Sequence, residues 1–599
     1  MKIGLIKRYG FTMSTFPRTG SLVLCLGLIF SGCATTLDES VVEIPLEAIE
    51  VAGQPAVTSE TALRPRPEDY PVAPFEGDSL YQLLVAEIAG YRSHYDIALE
   101  KYIQEAESTR DPGVVARAAN MALYLKKETS ALEMVKIWSE VEPDNMTAHR
   151  HAIDLFLRAD RPEEAIFHME QVKNLGGLAR FEVFAYQLAD LTVDKRQRLL
   201  VAIEEISTRH PNDTRLKFSK AILLQQEGKN AESLQLAEAI LTREEDINAV
   251  ILKITSLEAL ERSEEAEAFL ISKVESLPKN LRLRLALARM LFERGRLDEA
   301  HIQYEHILAL SPNDGDVLFA LALIAMQKED DAQARRYLEK MVRWNKRAGE
   351  ANYYLGSLAE RRADPKAALE HYRQAGTGYE FVPAQARVSA ILVEDGFWEE
   401  AREHLQRARL QQPGKARQLV MVEAQLLADR GLEDEVFDFL DDAIMDDPEN
   451  VELLYFRAMT GQRFGYLERL EEDLRTIIAI EPDNADAMNA LGYTLTDQTD
   501  RHGEALVLIE KALAIKPDEA AFIDSMGWVQ YRLHNYEVAI EHLRRALALF
   551  QNDEVAAHLG EVLWVVGEKI EAIEIWNKAL ELAPESDILK NVIQRFQGN

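Results

Sequence analysis

From about residue 79 onward, apolar positions recur at helical spacing, and the stripes they form repeat every 33 to 35 residues. The pattern is plainest near the carboxyl terminus. There Gly492, Gly527 and Gly560 are followed by Ala505, Ala539 and Ala572 and then by Ala512, Ala546 and Ala579, with Leu491, Met526, Leu559, Leu543 and Trp576 as large positions between. Small residues at fixed places on two successive helices predict backbones pressed together, and the large ones predict the filling. Pro482, Pro517 and Pro584 close units, because proline lacks the amide hydrogen a continuing helix needs and its ring clashes with the preceding turn. Walking backwards from Ala572 by 33 to 35 residues reaches 539, 505, 470, 436, 401, 368, 334, 300, 266, 233, 199, 165, 131 and 98. Eleven of these fifteen positions are alanine, the exceptions being Leu199, Ser233, Val436 and Leu470. Prolines at 143, 211, 278, 312, 413 and 448 each lie twelve residues past a lattice position, so the register holds through the degenerate units. The prediction is an all-α chain: a superhelical solenoid of about fifteen helix pairs over residues 79–584. Ile588, Leu589, Val592, Ile593 and Phe596 then predict one more amphipathic helix within 585–599, capping the apolar end of the stack.

This succession of small and large positions resembles the tetratricopeptide repeat, a 34-residue helix-turn-helix that stacks on copies of itself. The resemblance implies a stack that binds proteins through its first helices. In each first helix, positions 4, 7, 8 and 11 face the second helix, and positions 2, 5, 9 and 12 line the inner side. The inner stripe carries Asp486, Asn489 and Tyr493 in one unit, Asp524, Trp528 and Tyr531 in the next, and Glu554, Glu561 and Trp564 in the last. Aromatic rings beside carboxylates suit an extended peptide with apolar and basic side chains. The same rings equally suit packing between neighbouring first helices, where they meet no ligand. A weaker stripe runs through Arg282, Arg289 and Phe292, then Phe319, then Tyr353, and its two arginines suit a carboxylate.

The first 32 residues obey another rule. Lys2, Lys7, Arg8 and Arg18 precede an apolar run from Leu22 to Phe30, with no acid, which is a secretory signal too short to span a bilayer. Met13 would start an equally complete signal. The run ends in Phe30-Ser31-Gly32-Cys33, which resembles a lipoprotein signal box. That resemblance implies a mature chain beginning at a lipidated Cys33 bearing three acyl chains, palmitate among them, where one chain alone holds only marginally. Cys25 leaves with the signal, so no disulfide is expected. Residue 34 is alanine and not aspartate, which by the same resemblance implies the outer membrane, facing the periplasm. Residues 33–78 carry scattered valines and acids and a proline-rich stretch from Pro65 to Pro74. They read as a disordered tether spanning roughly 35 to 40 Å root-mean-square.

Charge excludes one class of partner. The formal net charge is −33, and without the four basic residues of the signal, 64 basic residues face 101 acidic ones, a net −37. Nucleic acids and anionic lipid surfaces are repelled by such a field. The densest run, Glu433-Asp434-Glu435 through Asp438, Asp441-Asp442 and Asp446-Asp447, reads as a solvated helix face, with docking of a basic partner as the alternative. No catalytic residue, cofactor or metal is expected. No histidine is followed by glutamate, so the zinc-protease H-E-x-x-H is absent, and one mature cysteine makes no thiolate cluster. The close pair His149 and His151 falls on different helix faces and reads as surface histidines. Gly376-Thr377-Gly378 lacks the lysine of a phosphate loop.

The opening repeats, Leu80-Tyr81-Gln82-Leu83-Leu84-Val85-Ala86-Glu87-Ile88-Ala89-Gly90, then Asp96-Ile97-Ala98-Leu99 and Thr109-Arg110-Asp111-Pro112-Gly113-Val114, resemble the start of the LbcA-type lipoproteins. The resemblance implies a non-catalytic outer-membrane adaptor that binds a periplasmic carboxyl-terminal processing protease and presents cell-wall hydrolases to it. A scaffold for outer-membrane biogenesis, pilus assembly or polysaccharide export is the rival expectation. A repeat-bearing glycosyltransferase would need a catalytic domain for which the repeats leave no room.

Overall fold

A computed structural model describes residues 77–181 and 192–598. The signal, Cys33 and the tether up to residue 76 lie outside the described residues, and Gly77 and Asp78 already open the first helix, Gly77–Tyr91. Among the described residues there are thirty α-helices and one short 3-10 turn. They form two compact units, one up to Pro312 and one from Asn313 on. Within each unit consecutive helices pack as antiparallel pairs, so the expected all-α repeat architecture is what the chain adopts.

The alanine lattice is the line along which the pairs close. Every one of the fifteen positions sits on a second helix, and all, including Leu199, Ser233, Val436 and Leu470, are at most 1% exposed. Four residues further, on the same face of the same helix, Tyr372, Ile509, Leu543 and Trp576 stand over the glycine of their own first helix. A Cβ at Gly492 would lie 2.6 Å from Ile509, at Gly527 2.6 Å from Leu543, and at Gly356 2.7 Å from Tyr372. Glycine is there because the large residue of the partner helix needs the room.

The turns between units follow from a local rule. Where residue 12 of the lattice interval is proline, an Asx or serine two residues later caps the next helix, except after Pro413 and Pro517, where Lys415 and Glu519 stand and no side chain caps. Asn145, Asp213, Asn280, Asn450, Asn484 and Ser586 all accept backbone N–H bonds in this way. Each such cap is worth about 0.5 to 2 kcal/mol. The last helix, Asp587–Gln597, buries Leu589 and Val592 and lays Ile593 and Phe596 against the final pair. The first helix has no such cover among the described residues, and Leu80, Tyr81, Leu84, Ile88 and Tyr91 are exposed. In the acidic helix Glu433–Asp446, Asp434, Glu435, Asp438, Asp442 and Asp446 face solvent, while Asp441 receives Arg457 at 2.5 Å and Arg469 at 3.2 Å.

One expectation is overturned. His149 is not a surface residue: it is 2% exposed, with Nε2 2.9 Å from the Pro143 carbonyl oxygen and Nδ1 2.8 Å from Nδ1 of His168. The second helix, Pro162–Asn174, supplies His168 at the edge of the His149 face, and a helix's own periodicity says nothing about that partner. His151 is partly buried, with its ring stacked 6.3 Å from Trp138.

Candidate functional site

Three consecutive first helices, Ala485–Gln498, Ala520–Arg532 and Asp553–Val566, pack on one another and carry the expected inner stripe. Asn484 and Asn552 cap two of them, accepting from Ala487 N–H and Glu554 N–H, which fixes the phase at which the stripe emerges. Position 5 then places Asn489 and Asp524, and position 9 places Tyr493, Trp528 and Glu561.

The structure brings most of these residues into one closed cluster. Asp524 is buried with both carboxylate oxygens 3.1 Å from Nδ1 of His558. The His558 ring is stacked on Trp528 at 4.2 Å and lies 6.2 Å from Tyr493. The Tyr493 hydroxyl passes over the intervening unit and donates to Glu554 Oε1 at 2.9 Å, 61 residues along the chain. Tyr531 donates to Glu561 Oε1 at 3.2 Å and its ring stands 5.0 Å from Trp528. Arg595, from the last helix, pairs with the other oxygen of Glu561. Trp564 is only partly buried, stacked 5.7 Å from Trp576, with the Lys569 ammonium 4.8 Å above its ring. Asn489 has no exposed surface, and neither its amide oxygen nor its amide nitrogen has a partner, as is true of the Trp528 indole N–H.

The electrostatics follow the same contacts. Burial by itself presses the His558 pKa down, but Asp524 against its ring, with Glu554 and Glu561 behind, outweighs this and holds the imidazole above its ordinary value. Burial, then Glu554, Asp497 and Asp524, raise the Tyr493 phenol well above its usual range. Burial followed by Glu561 pushes Tyr531 up to about 12. The imidazole thus holds a proton more tightly than usual and the two phenols part with theirs less readily, and the three carboxylates of the cluster all have donors.

The second stripe falls on both units. Arg282 is exposed and donates to Asn248 Oδ1 at 2.5 Å, and Arg289 is half-buried, both in the unit up to Pro312. In the other unit Phe319 is buried beneath the Arg347 guanidinium at 4.3 Å, and Tyr353 packs 5.6 Å from Tyr372. Sequence reasoning missed His558, which sits one residue off the stripe and has no distinguishing local motif. It also missed Arg595, which the capping helix delivers. Among the described residues no group of three or more His, Cys, Asp or Glu side chains is arranged to hold a metal, and no helix is long and apolar enough to cross a membrane.

The Tetratricopeptide repeat family is matched over residues 281–324 and again over residues 525–587. Over 576 residues, 96% of each chain, the sequence is 38% identical to TPR repeat-containing protein PA4667 of Pseudomonas aeruginosa. Among solved structures, a thermophilic TPR protein of Thermus thermophilus is 26% identical, with a TM-score of 0.27, over 30% of this chain and 97% of that one. Yeast Tom70 is 12% identical with a TM-score of 0.33, covering 86% of this chain and 99% of its own.

Proposed function

Because the chain belongs to the tetratricopeptide-repeat family, with PA4667 of Pseudomonas aeruginosa a relative over its full length, we propose that it is a protein-binding scaffold held on the periplasmic face of the outer membrane by a lipidated Cys33. The observation that carries this reading is architectural: the described residues from Gly77 to Pro584 are helix pairs and the turns that join them. Such a chain offers long runs of side-by-side first helices to partners. The basic, apolar and small residues ahead of Cys33 support the anchor.

The specific role we infer is that of an adaptor, which brings cell-wall hydrolases to a carboxyl-terminal processing protease and cleaves nothing itself. The likeness of the opening repeats, Leu80 to Gly90 and Thr109 to Val114, to the LbcA-type lipoproteins supports it. Peptide contacts fall to the inner stripe: Asn489, Tyr493, Asp524, Trp528, Tyr531, Glu561 and Trp564, with Arg282 and Arg289 as a second locus. The gain is one of effective concentration, roughly millimolar for short flexible connections, in place of a dilute encounter. Reconstitution tests it. The scaffold alone should leave the hydrolase intact, the protease alone should cut slowly, and the mixture should cut fast until excess scaffold separates the two onto different copies. Unchanged cleavage in the mixture, together with failed pilus or polymer export in a deletion strain, would replace this reading with the assembly scaffold. Cys33→Ala should release the protein from outer membrane, and retention in high salt would remove the anchor from the proposal.

A further inference from the structure

In a stack of helix pairs each unit touches its neighbours, and stability is close to a sum of neighbour terms. Several side-chain bonds of the last three units keep to that scheme. Asp524 to His558 spans 34 residues, Tyr531 to Glu561 spans 30 and Arg595 to Glu561 spans 34, each about one repeat. The Tyr493 bond does not. Its hydroxyl donates to Glu554 Oε1 at 2.9 Å over 61 residues, which joins the first helices Ala485–Gln498 and Asp553–Val566, two units apart. The helix Ala520–Arg532 stands between them and packs on both. His558 ties the same three helices from the far side: it pairs with Asp524, stacks on Trp528 at 4.2 Å and lies 6.2 Å from the Tyr493 ring.

Two groups on these helices oppose closure. Asn489, one turn before Tyr493, has no exposed surface, and neither of its amide atoms has a partner. The Trp528 indole N–H is likewise buried without an acceptor. Buried polar groups find partners in the great majority of cases. Each one left unpaired disfavours the packed arrangement by roughly 5- to 150-fold against one in which water reaches it. The bond to the Glu554 carboxylate, made in a dry surrounding, acts in the opposite direction.

We propose that Tyr493 and Glu554 form a latch that makes the last three helix pairs a two-state element, either closed and dry as in this structure or parted, with water at Asn489 and Trp528. The cooperativity comes from the bond skipping a unit. Parting Ala485–Gln498 from Ala520–Arg532 breaks it, and so does parting Ala520–Arg532 from Asp553–Val566. Once either interface has opened, the other no longer has the latch to hold it, so the three helices open together. A stack with neighbour contacts alone would open one interface at a time. The latch is independent of what the scaffold binds.

Hydrogen exchange of the full chain in detergent, read by mass spectrometry on peptides from each helix, tests it. Tyr493→Phe keeps the ring and removes the hydroxyl. Exchange in Ala485–Gln498, Ala520–Arg532 and Asp553–Val566 should then quicken together by about tenfold, the loss expected of one bond to a carboxylate, while Val451–Phe464, one unit earlier, stays unchanged. Asn489→Leu should act the other way and slow the same three helices severalfold, because no amide is left to hydrate. Quickening that spares Asp553–Val566 would mean an ordinary neighbour contact and would overturn the latch. No change in Tyr493→Phe would do the same, as would an equal change in Val451–Phe464, which marks a general loss of stability. Unchanged or faster exchange in Asn489→Leu would remove the opposing group and with it the two-state element. Should Tyr493→Phe fail to fold by circular dichroism, Glu554→Gln carries the test. It keeps an acceptor without the charge and should quicken the same three helices severalfold, with the same patterns overturning the proposal.

Discussion

Two buried histidines, one in each compact unit, meet opposite fates. His168 is 6% exposed and His558 is 8% exposed, so burial does not distinguish them. What faces them does. His168 meets another imidazole, His149, with Phe156 stacked at 5.3 Å and Phe167 edge-on at 5.1 Å. Burial, then the positive charge His149 could carry, lowers its pKa to about 4, with only Glu164 opposing. His558 meets the Asp524 carboxylate, with Glu554 and Glu561 near, and its pKa is raised. The charge of a buried imidazole is thus decided by the group opposite it and not by its depth.

The largest way to break the contrast is Asp524→Leu, which leaves His558 buried without its counter-charge. Loss of one member of a buried pair costs about 3 to 5 kcal/mol, read from urea unfolding followed by tryptophan emission. A cost below about 1 kcal/mol would count against a charge-assisted pair. Next comes His168→Leu, which orphans Nδ1 of His149 and should cost about 1 to 3 kcal/mol at pH 7. The same variant should also flatten the acid limb of stability. In the unfolded chain a histidine takes its proton near about pH 6.5, whereas folded His168 waits until about 4. Its contribution is therefore present above 6.5 and is lost as pH falls from there toward 4. An acid limb identical to wild type would count against the lowered pKa of His168.

A smaller effect of opposite slope is expected of His558→Gln. A raised folded pKa means that the folded state holds the proton longer than the unfolded one, so this stabilisation is complete below the unfolded value and fades as pH rises through the folded value. The variant should cost about 1.5 kcal/mol at pH 6 and progressively less on the alkaline side, since the bond lost is a charge-assisted one. A cost that does not change with pH would mean that His558 has the same pKa folded and unfolded, and one that grows with pH would mean a lowered folded pKa; either would count against the raised one. Smallest is His151→Ala, which removes one partly exposed ring from Trp138 and should cost about 0.5 to 1 kcal/mol. A larger loss would place His151 with its neighbour His149 in the core.

Much of this was legible in the residues. The lattice of Ala98 to Ala572 marks the sealed line of all fifteen second helices, because close approach of two backbones tolerates only a few side chains and so leaves a strong, periodic trace. The proline followed two residues later by Asn145, Asp213 or Asn484 is likewise local chemistry read within one turn. The inner stripe was readable as a list of residues on one face: Asn489, Tyr493, Asp524 and Trp528. What each of them meets was not readable. Tyr493 and Glu554 are 61 residues apart, and His558 and Asp524 are 34 apart. The face of His149 was misread for the same reason, since His168 reaches it from the following helix.

The sequence by itself determined the helices, their pairing, the turns and the acidic surface, because each depends on interactions within one repeat of 33 to 35 residues or on composition alone. Only the tertiary structure decided which polar residues are charged, which are satisfied and which are left over. Those outcomes depend on stacking first helices from successive units, which brings side chains from distant repeats into one dry cluster where a single carboxylate or imidazole opposite reverses the result.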